Sequence, residues 1–431
     1  MPQPVMKTTL DNGLTVVMKE MHHAPVASFW VWYRVGSRNE IPGITGASHW
    51  VEHMMFKGSP EFPPGSLDRL VSREGGRFNA FTWIDFTAYF ETMPSDRIDL
   101  ALRLEADRMP NALMTPEDVE SERTVIISER HMYENQPTFL LREELSASAF
   151  RVHSYHHDTI GDETDLETMT RDDLYNHYKK FYAPNNATIV VAGDFESERM
   201  LGRIQELYGS IPSGPPLEQT VRPEPEQRGE RRVFVNGPGD TAYLIYAFRA
   251  PNATHPDFYP LVLLNAAYAG GSSLGYFGGG TTNKSSRLYK ALVGKDLAVA
   301  VSGNISPTID PYLYTVSTVV RPGRTLAEVE TALETELDRL AEEPITPSEL
   351  DKAMKRAKAQ FVMAGESVSG QGQMIGMAEA VSGDYRWYER TLETLEAVTL
   401  EDIERVRREY MVRTNRTVAL YEPNGNGQQA V

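Results

Sequence analysis

At 431 residues the chain is too long for one ordinary core and suits two domains of roughly 200 residues each. Its 60 acidic side chains against 43 basic ones leave a net charge of −17, which argues against nucleic acid as a partner. There is no cysteine, so thiol catalysis, disulfides and cysteine-based zinc sites are excluded and any metal must sit on His, Asp or Glu.

From the N-terminus, residues 8–10 and 14–19 flank Asp11-Asn12-Gly13, a hairpin signal. Residues 26–35 form a strongly apolar strand whose Phe29-Trp-Val-Trp-Tyr run reads as a buried central strand. Residues 46–56 read as a helix closed by Gly58, and residues 67–73 as a second helix. Strands are expected at 77–82 and 86–93, and further helices from Asp96 and Pro116. Strand pairs followed by helices point to an α+β domain with an antiparallel sheet packed with helices. No stretch of eighteen apolar residues occurs, so no membrane partner is expected. The opening MPQPVMKTTLDNGLTVV lacks a basic segment followed by an apolar one. A cytoplasmic location is expected, or a periplasmic one had a leader been removed.

The fold is expected twice. Leu166-Glu-Thr-Met-Thr170 and Leu395-Glu-Ala-Val-Thr399 each precede an acidic pair and an amphipathic helix, and Asn186-Ala-Thr-Ile-Val then falls on Asn415-Arg-Thr-Val-Ala. At nearly the same offset, Thr115-Pro-Glu-Asp and Thr346-Pro-Ser-Glu each open a long helix with a Thr cap and a Pro in the first turn. The Pro- and Glu-rich stretch 213–231 reads as a linker between homologous domains at 1–212 and 232–422, with 423–431 a frayed tail.

His49 and His53 are four residues apart on the 46–56 helix, so both rings project from one face, and Glu52 lies at its side. The order His49-x-x-Glu52-His53 is the inverzincin pattern, in which two imidazoles hold Zn²⁺ and the carboxylate acts as general base. Helical histidines four apart also occur as a satisfied surface or core pair, and five residues do not decide between the two. Glu122 and Glu129 stand seven residues apart on the helix from Pro116, hence on one face. Glu129 supplies a carboxylate that completes a His₂Glu set with a fourth position open, and Glu122 is placed to orient a ligand.

Together with Asn12-Gly13-Leu14, Gly76-x-x-Asn79-Ala80 with Thr82, and Pro184-Asn185-Asn186, this metal pattern resembles the pitrilysin, insulinase and mitochondrial processing peptidase family, over about residues 6–422. The resemblance is to short members with two homologous domains per subunit. It implies a zinc endopeptidase acting on peptides or unfolded polypeptides in a chamber. One Zn²⁺ per chain would be held by His49, His53 and Glu129, with Glu52 the general base on the zinc-bound water and Glu122 supporting the site. The strand around Asn79 and Ala80 would pair with substrate backbone. A homologous partner subunit, or a second copy of the chain, would complete the assembly. The alternative within the family is a non-catalytic scaffold subunit. A small-molecule zinc lyase with a related motif uses a cysteine ligand, which this chain lacks.

The second half departs from this pattern. Glu122 falls on Ala353, Glu129 falls on Gln360, and His255 is the single histidine there. The Arg and Tyr that active members carry in this half fall on Val293 and Val299, and Arg287 and Tyr289 lie on the wrong side of the helix start to substitute. This points to a partner that supplies the pair, or to another arginine such as Arg287 or Arg321 reaching in. His153, His156 and His157 read as a loop rather than a metal site, and the glycine-rich 268–280 as a flexible loop without the ending of a phosphate cradle.

Overall fold

The Asn12-Gly13 corner folds as expected: Gly13 takes φ +88°, and the Asn12 amide donates to the carbonyls of Tyr208 and Ile211. It joins β1 (Met6–Thr9) to β2 (Thr15–Glu20), which pair antiparallel. The apolar run forms β3 (Val26–Tyr33); β4 (Arg77–Thr82), β5 (Thr87–Pro94) and β6 (Ala187–Gly193) complete a six-stranded sheet of order β1-β2-β6-β3-β5-β4. The protein is described here from a computed structural model that covers residues 4–217, 221–271 and 283–425. Most of the glycine-rich stretch and the end of the tail lie outside those residues.

A second sheet comprises β7 (Arg231–Gly237), β8 (Tyr243–Ala250), β9 (Ala298–Ile305), β10 (Tyr312–Val320) and β11 (Arg416–Pro423), in the order β7-β11-β8-β10-β9. This is the order β2-β6-β3-β5-β4 repeated, so the duplication in the sequence is also one of topology. The chain is a two-domain α+β protein. Each sheet departs from an antiparallel one at a single pair: β2 with β6 and β7 with β11 run parallel. The reason is connectivity. β6 and β11 are reached only after helical excursions, and long connections permit parallel entry where hairpins do not.

The compact units are discontinuous, unlike the halves 1–212 and 232–422. One comprises residues 1–130, 157–222 and 364–388; the other comprises 131–156, 223–363 and 389–431. Each sheet is thus covered on one face by a helix drawn from the other half. In the first unit, helix Val368–Ser382 lies on β3 and β6, with Gly372 against Trp30 and Gly376 against Trp32, where any Cβ would collide with the indoles. In the second, helix Pro137–Ala149 lies on β7 and β11, and Arg231 donates to the carbonyls of Ser148 and Ala149. Burial selects these positions: an uncovered face would leave the tryptophans of β3 in water. Within the second unit, β7 begins at Arg231, inside the stretch expected to be linker, and Glu224 accepts the backbone N–H groups of residues 151–153. Among the described residues no helix is long and apolar enough to cross a membrane.

Candidate metal centre

The helix Ala47–Met54 carries the motif. Its N-terminus is fixed by a carboxylate six residues upstream: Glu40 accepts from the N–H of Gly46 at 2.8 Å and of Ser48 at 2.7 Å. A negative group there satisfies free amides and opposes the positive end of the helix. Gly46, at φ +87°, turns the chain where a Cβ would strike the carbonyl of Ile160. Behind Glu40, His157 Nε2 sits 3.0 Å from its Oε2, and His177 Nε2 lies 3.1 Å from Ser48 Oγ. Trp50, Val51 and Met54 are buried, which leaves His49 and His53 facing the helix Pro116–Glu134.

That helix brings Glu129 to both rings. Its Oε2 lies 3.8 Å from His49 Nε2 and 3.5 Å from His53 Nε2, and one ligand atom from each of the three residues falls within 4.8 Å of the others. One turn-pair earlier, Glu122 Oε1 lies 2.8 Å from His53 Nδ1 and its other oxygen meets Lys57. Binding His53 through Nδ1 leaves Nε2 directed at the cluster, the arrangement in which a carboxylate fixes a ligand's tautomer. Glu52 is buried beside the histidines, and its Oε2 accepts the Thr82 hydroxyl at 2.6 Å.

The electrostatics separate these groups. Burial, reinforced by the neighbouring His53, lowers His49 to about 4, so its imidazole is neutral at pH 7 and able to donate a lone pair. Burial opposes protonation of His53 too, but the Glu122 hydrogen bond and nearby carboxylates outweigh it and raise His53. The His53 bond, with Lys57 beyond it, holds Glu122 at about 2, an anion throughout the working range. Burial raises Glu52 against the Thr82 hydrogen bond, the direction that makes a carboxylate a stronger base. Two imidazoles and a carboxylate converging on one point, with no sulfur, fit zinc.

β4 is an edge strand paired only with β5, and it carries Asn79, exposed, and Ala80, buried, two residues before Thr82. The Asn79 side chain accepts the N–H of Ala80 at 2.9 Å. In the second unit, Val293 ends a short helical turn and Val299 is exposed on β9. Arg287 is committed: it donates to both Glu349 oxygens and to the carbonyls of Glu343 and Pro344, so it is not poised to serve elsewhere. The three loop histidines have separate partners, His153 with Asp310, His156 with the His153 carbonyl, and His157 with Glu40. Lys57 and Glu40 escaped the sequence reading. Lys57 carried a visible signal, a basic residue four positions after His53 just beyond the helix end, whereas Glu40 sits in an irregular turn and offered none.

A duplicated α+β fold with a His-His-Glu cluster on one unit defines a metallopeptidase-like architecture. Residues 15–163 match the family described as Insulinase (Peptidase family M16), and residues 168–357 match Peptidase M16 inactive domain. The chain belongs to this M16 insulinase family. It is 28% identical over 427 residues to zinc protease PqqE of Helicobacter pylori, covering 96% of this chain and 92% of that protein. An uncharacterized zinc protease of Bacillus subtilis, YmxG, is 26% identical over 423 residues, covering 98% and 99%. Among solved structures, a protease from Helicobacter pylori superposes with a TM-score of 0.91 at 26% identity, covering 98% of this chain and all of that one. A chain of complex III2 from Candida albicans shares the fold, with a TM-score of 0.80 at 17% identity and coverage of 98% and 96%.

Proposed function

We propose that this chain is a zinc-dependent endopeptidase that hydrolyses peptides or unfolded polypeptides. The observation that carries the reading is the convergence of His49 Nε2, His53 Nε2 and a Glu129 oxygen with the Glu52 carboxylate alongside. His49, His53 and Glu129 would hold one zinc ion, which supplies a Lewis acid for polarising a carbonyl and activating water. Glu52 takes the proton of the attacking water and returns it to the leaving amine. Thr82 fixes which oxygen of Glu52 is engaged, and Glu122 fixes the His53 ring. The free edge of β4 at Asn79 and Ala80 receives the substrate as an added strand, which reads backbone rather than side chains and suits an unfolded chain. Since Val293 and Val299 offer no side-chain donors, a homologous partner subunit, or a second copy, completes the site.

The test is a paired measurement. The wild-type chain and Glu52→Gln are compared for zinc content and for cleavage of an unfolded peptide, with any partner present. Equal zinc near one ion per chain and loss of cleavage in the variant is expected; retained cleavage would remove Glu52 as the base.

A further inference from the structure

The two sheets correspond residue by residue through their registers. Val191 of β6 pairs with Met18 of β2 and Phe29 of β3, while Leu420 of β11 pairs with Phe234 of β7 and Leu244 of β8. Paired residues share a sheet face, so Phe234 stands where Met18 stands in the first sheet. Their environments are opposite: Met18 is 1% exposed and Phe234 is 71% exposed. Among the described residues, two neighbours of Met18 have no counterpart beside Phe234: strand β1, which pairs Met6 with Met18, and a helix. In the first unit, helix Ser197–Tyr208 follows β6 and lies on β2; it buries Met200, Ile204 and Tyr208, with the Tyr208 ring 6.4 Å from Phe29. Among the described residues no helix follows β11. A groove of about 490 Å³ remains, lined by Phe234, Leu326 and Leu420, with Arg232, Glu330 and Glu422 at its rim.

We propose that this groove receives an amphipathic helix from a partner protein, seated on the second sheet as Ser197–Tyr208 is seated on the first. A large apolar side chain projecting from a strand into a face groove is an anchor for apolar residues spaced about four apart. The element that occupies the equivalent place on the first sheet is a helix, which selects a helix as the occupant. Charge sets the flank. Arg232 engages Glu330 at 2.6 Å, so Glu422 keeps the rim acidic, and the occupant carries a basic residue there. The first unit shows the same device, with Arg203 of its covering helix bound to Asp99 at 2.7 Å. This surface is distinct from the metal centre, and its test does not depend on catalysis.

A fluorescein-labelled peptide of residues 195–210, which includes the covering helix of the first unit, is titrated into the full-length chain and followed by anisotropy. Saturable binding is expected, with a gain of helical circular dichroism in the peptide. Phe234→Glu should weaken it at least tenfold, whereas Val362→Glu, at another exposed apolar site, should leave it unchanged. Both variants are checked for native circular dichroism, and folding is not at stake at so exposed a residue as Phe234. Absence of saturable binding, or equal binding by Phe234→Glu, overturns the proposal. A wild-type dimer in sedimentation that Phe234→Glu dissociates would assign the groove to a second copy and also overturn it.

Discussion

The Thr82 hydroxyl donates to Glu52 Oε2 at 2.6 Å, tying the edge strand β4 to the motif helix through one short hydrogen bond. A hydrogen bond to a charged group contributes about 1.5–3 kcal/mol. If that energy is realised in the transition state, Thr82→Val should lower kcat about 10- to 100-fold. Thr82→Ser keeps the donor and should recover most of the loss. Zinc content should be unchanged in both, because the Thr82 hydroxyl bonds Glu52 and none of the three proposed ligands. A Thr82→Val enzyme with wild-type kcat would show that the bond does not position the base.

Glu129 and Glu122 share a helix face but face different atoms, one the Nε2 side of the rings and the other Nδ1 of His53. Glu129→Ala should abolish tight zinc binding. Glu122→Ala should weaken it about 10- to 100-fold, the ordinary cost of losing a group that orients a ligand. Competitive zinc titration against a chelating dye measures both. A more damaging Glu122→Ala would reverse the two roles.

The buried pair Glu40–His157 gives stability a pH window. Burial raises Glu40, but the His157 hydrogen bond and other contacts outweigh it, so its folded value lies below the ordinary 4.5. Burial lowers His157, but Glu40 outweighs that, so its folded value lies above the ordinary 6.5. The Glu40 contribution is present above its unfolded value and lost as pH falls through the lowered folded one. The His157 contribution is present below its unfolded value and lost as pH rises through the raised folded one. The pair therefore stabilises most between about pH 4.5 and 6.5. Subtracting the Tm of His157→Gln from that of the wild type, from pH 4 to pH 9, should give a maximum in that window. A flat difference would mean the pair stays in one charge state throughout.

The second unit bears on activity through what it lacks. Donors aimed at a developing oxyanion contribute about 10²- to 10³-fold each in kcat. Val293 and Val299 supply none from their side chains, and Arg287 is bound to Glu349. The isolated chain should bind zinc yet cleave peptides poorly, and a homologous subunit should restore turnover. Brisk cleavage by a chain shown by mass to be free of any other subunit, and lost in Arg321→Ala, would indicate a self-sufficient enzyme.

Much of this architecture is legible in the sequence because it depends on short periodicities. The four-residue step from His49 to His53 and the seven-residue step from Glu122 to Glu129 are helical, and once both segments are helices each pair must share a face. Strands β3 to β5 follow from apolar runs and their boundaries. Long-range choices are less visible. Helix Pro137–Ala149 has only a weak apolar stripe and Val368–Ser382 is buried nearly all round, so nothing local says which sheet each covers. Gly372 and Gly376, four apart, were the one hint of a flat stripe suited to large rings. The Glu40 cap was hidden for another reason: an acid in a turn is ordinary, and only the fold brings it to the amides of Gly46 and Ser48.

The seat of Trp30 and Trp32 on Gly372 and Gly376 has a consequence for biosynthesis. The ribosome delivers the central strand of the first sheet early and its cover almost last, so nascent chains carry two unsheltered indoles for most of translation. The cover of the first sheet and strand β11 of the second are both supplied only when the C-terminal portion has emerged.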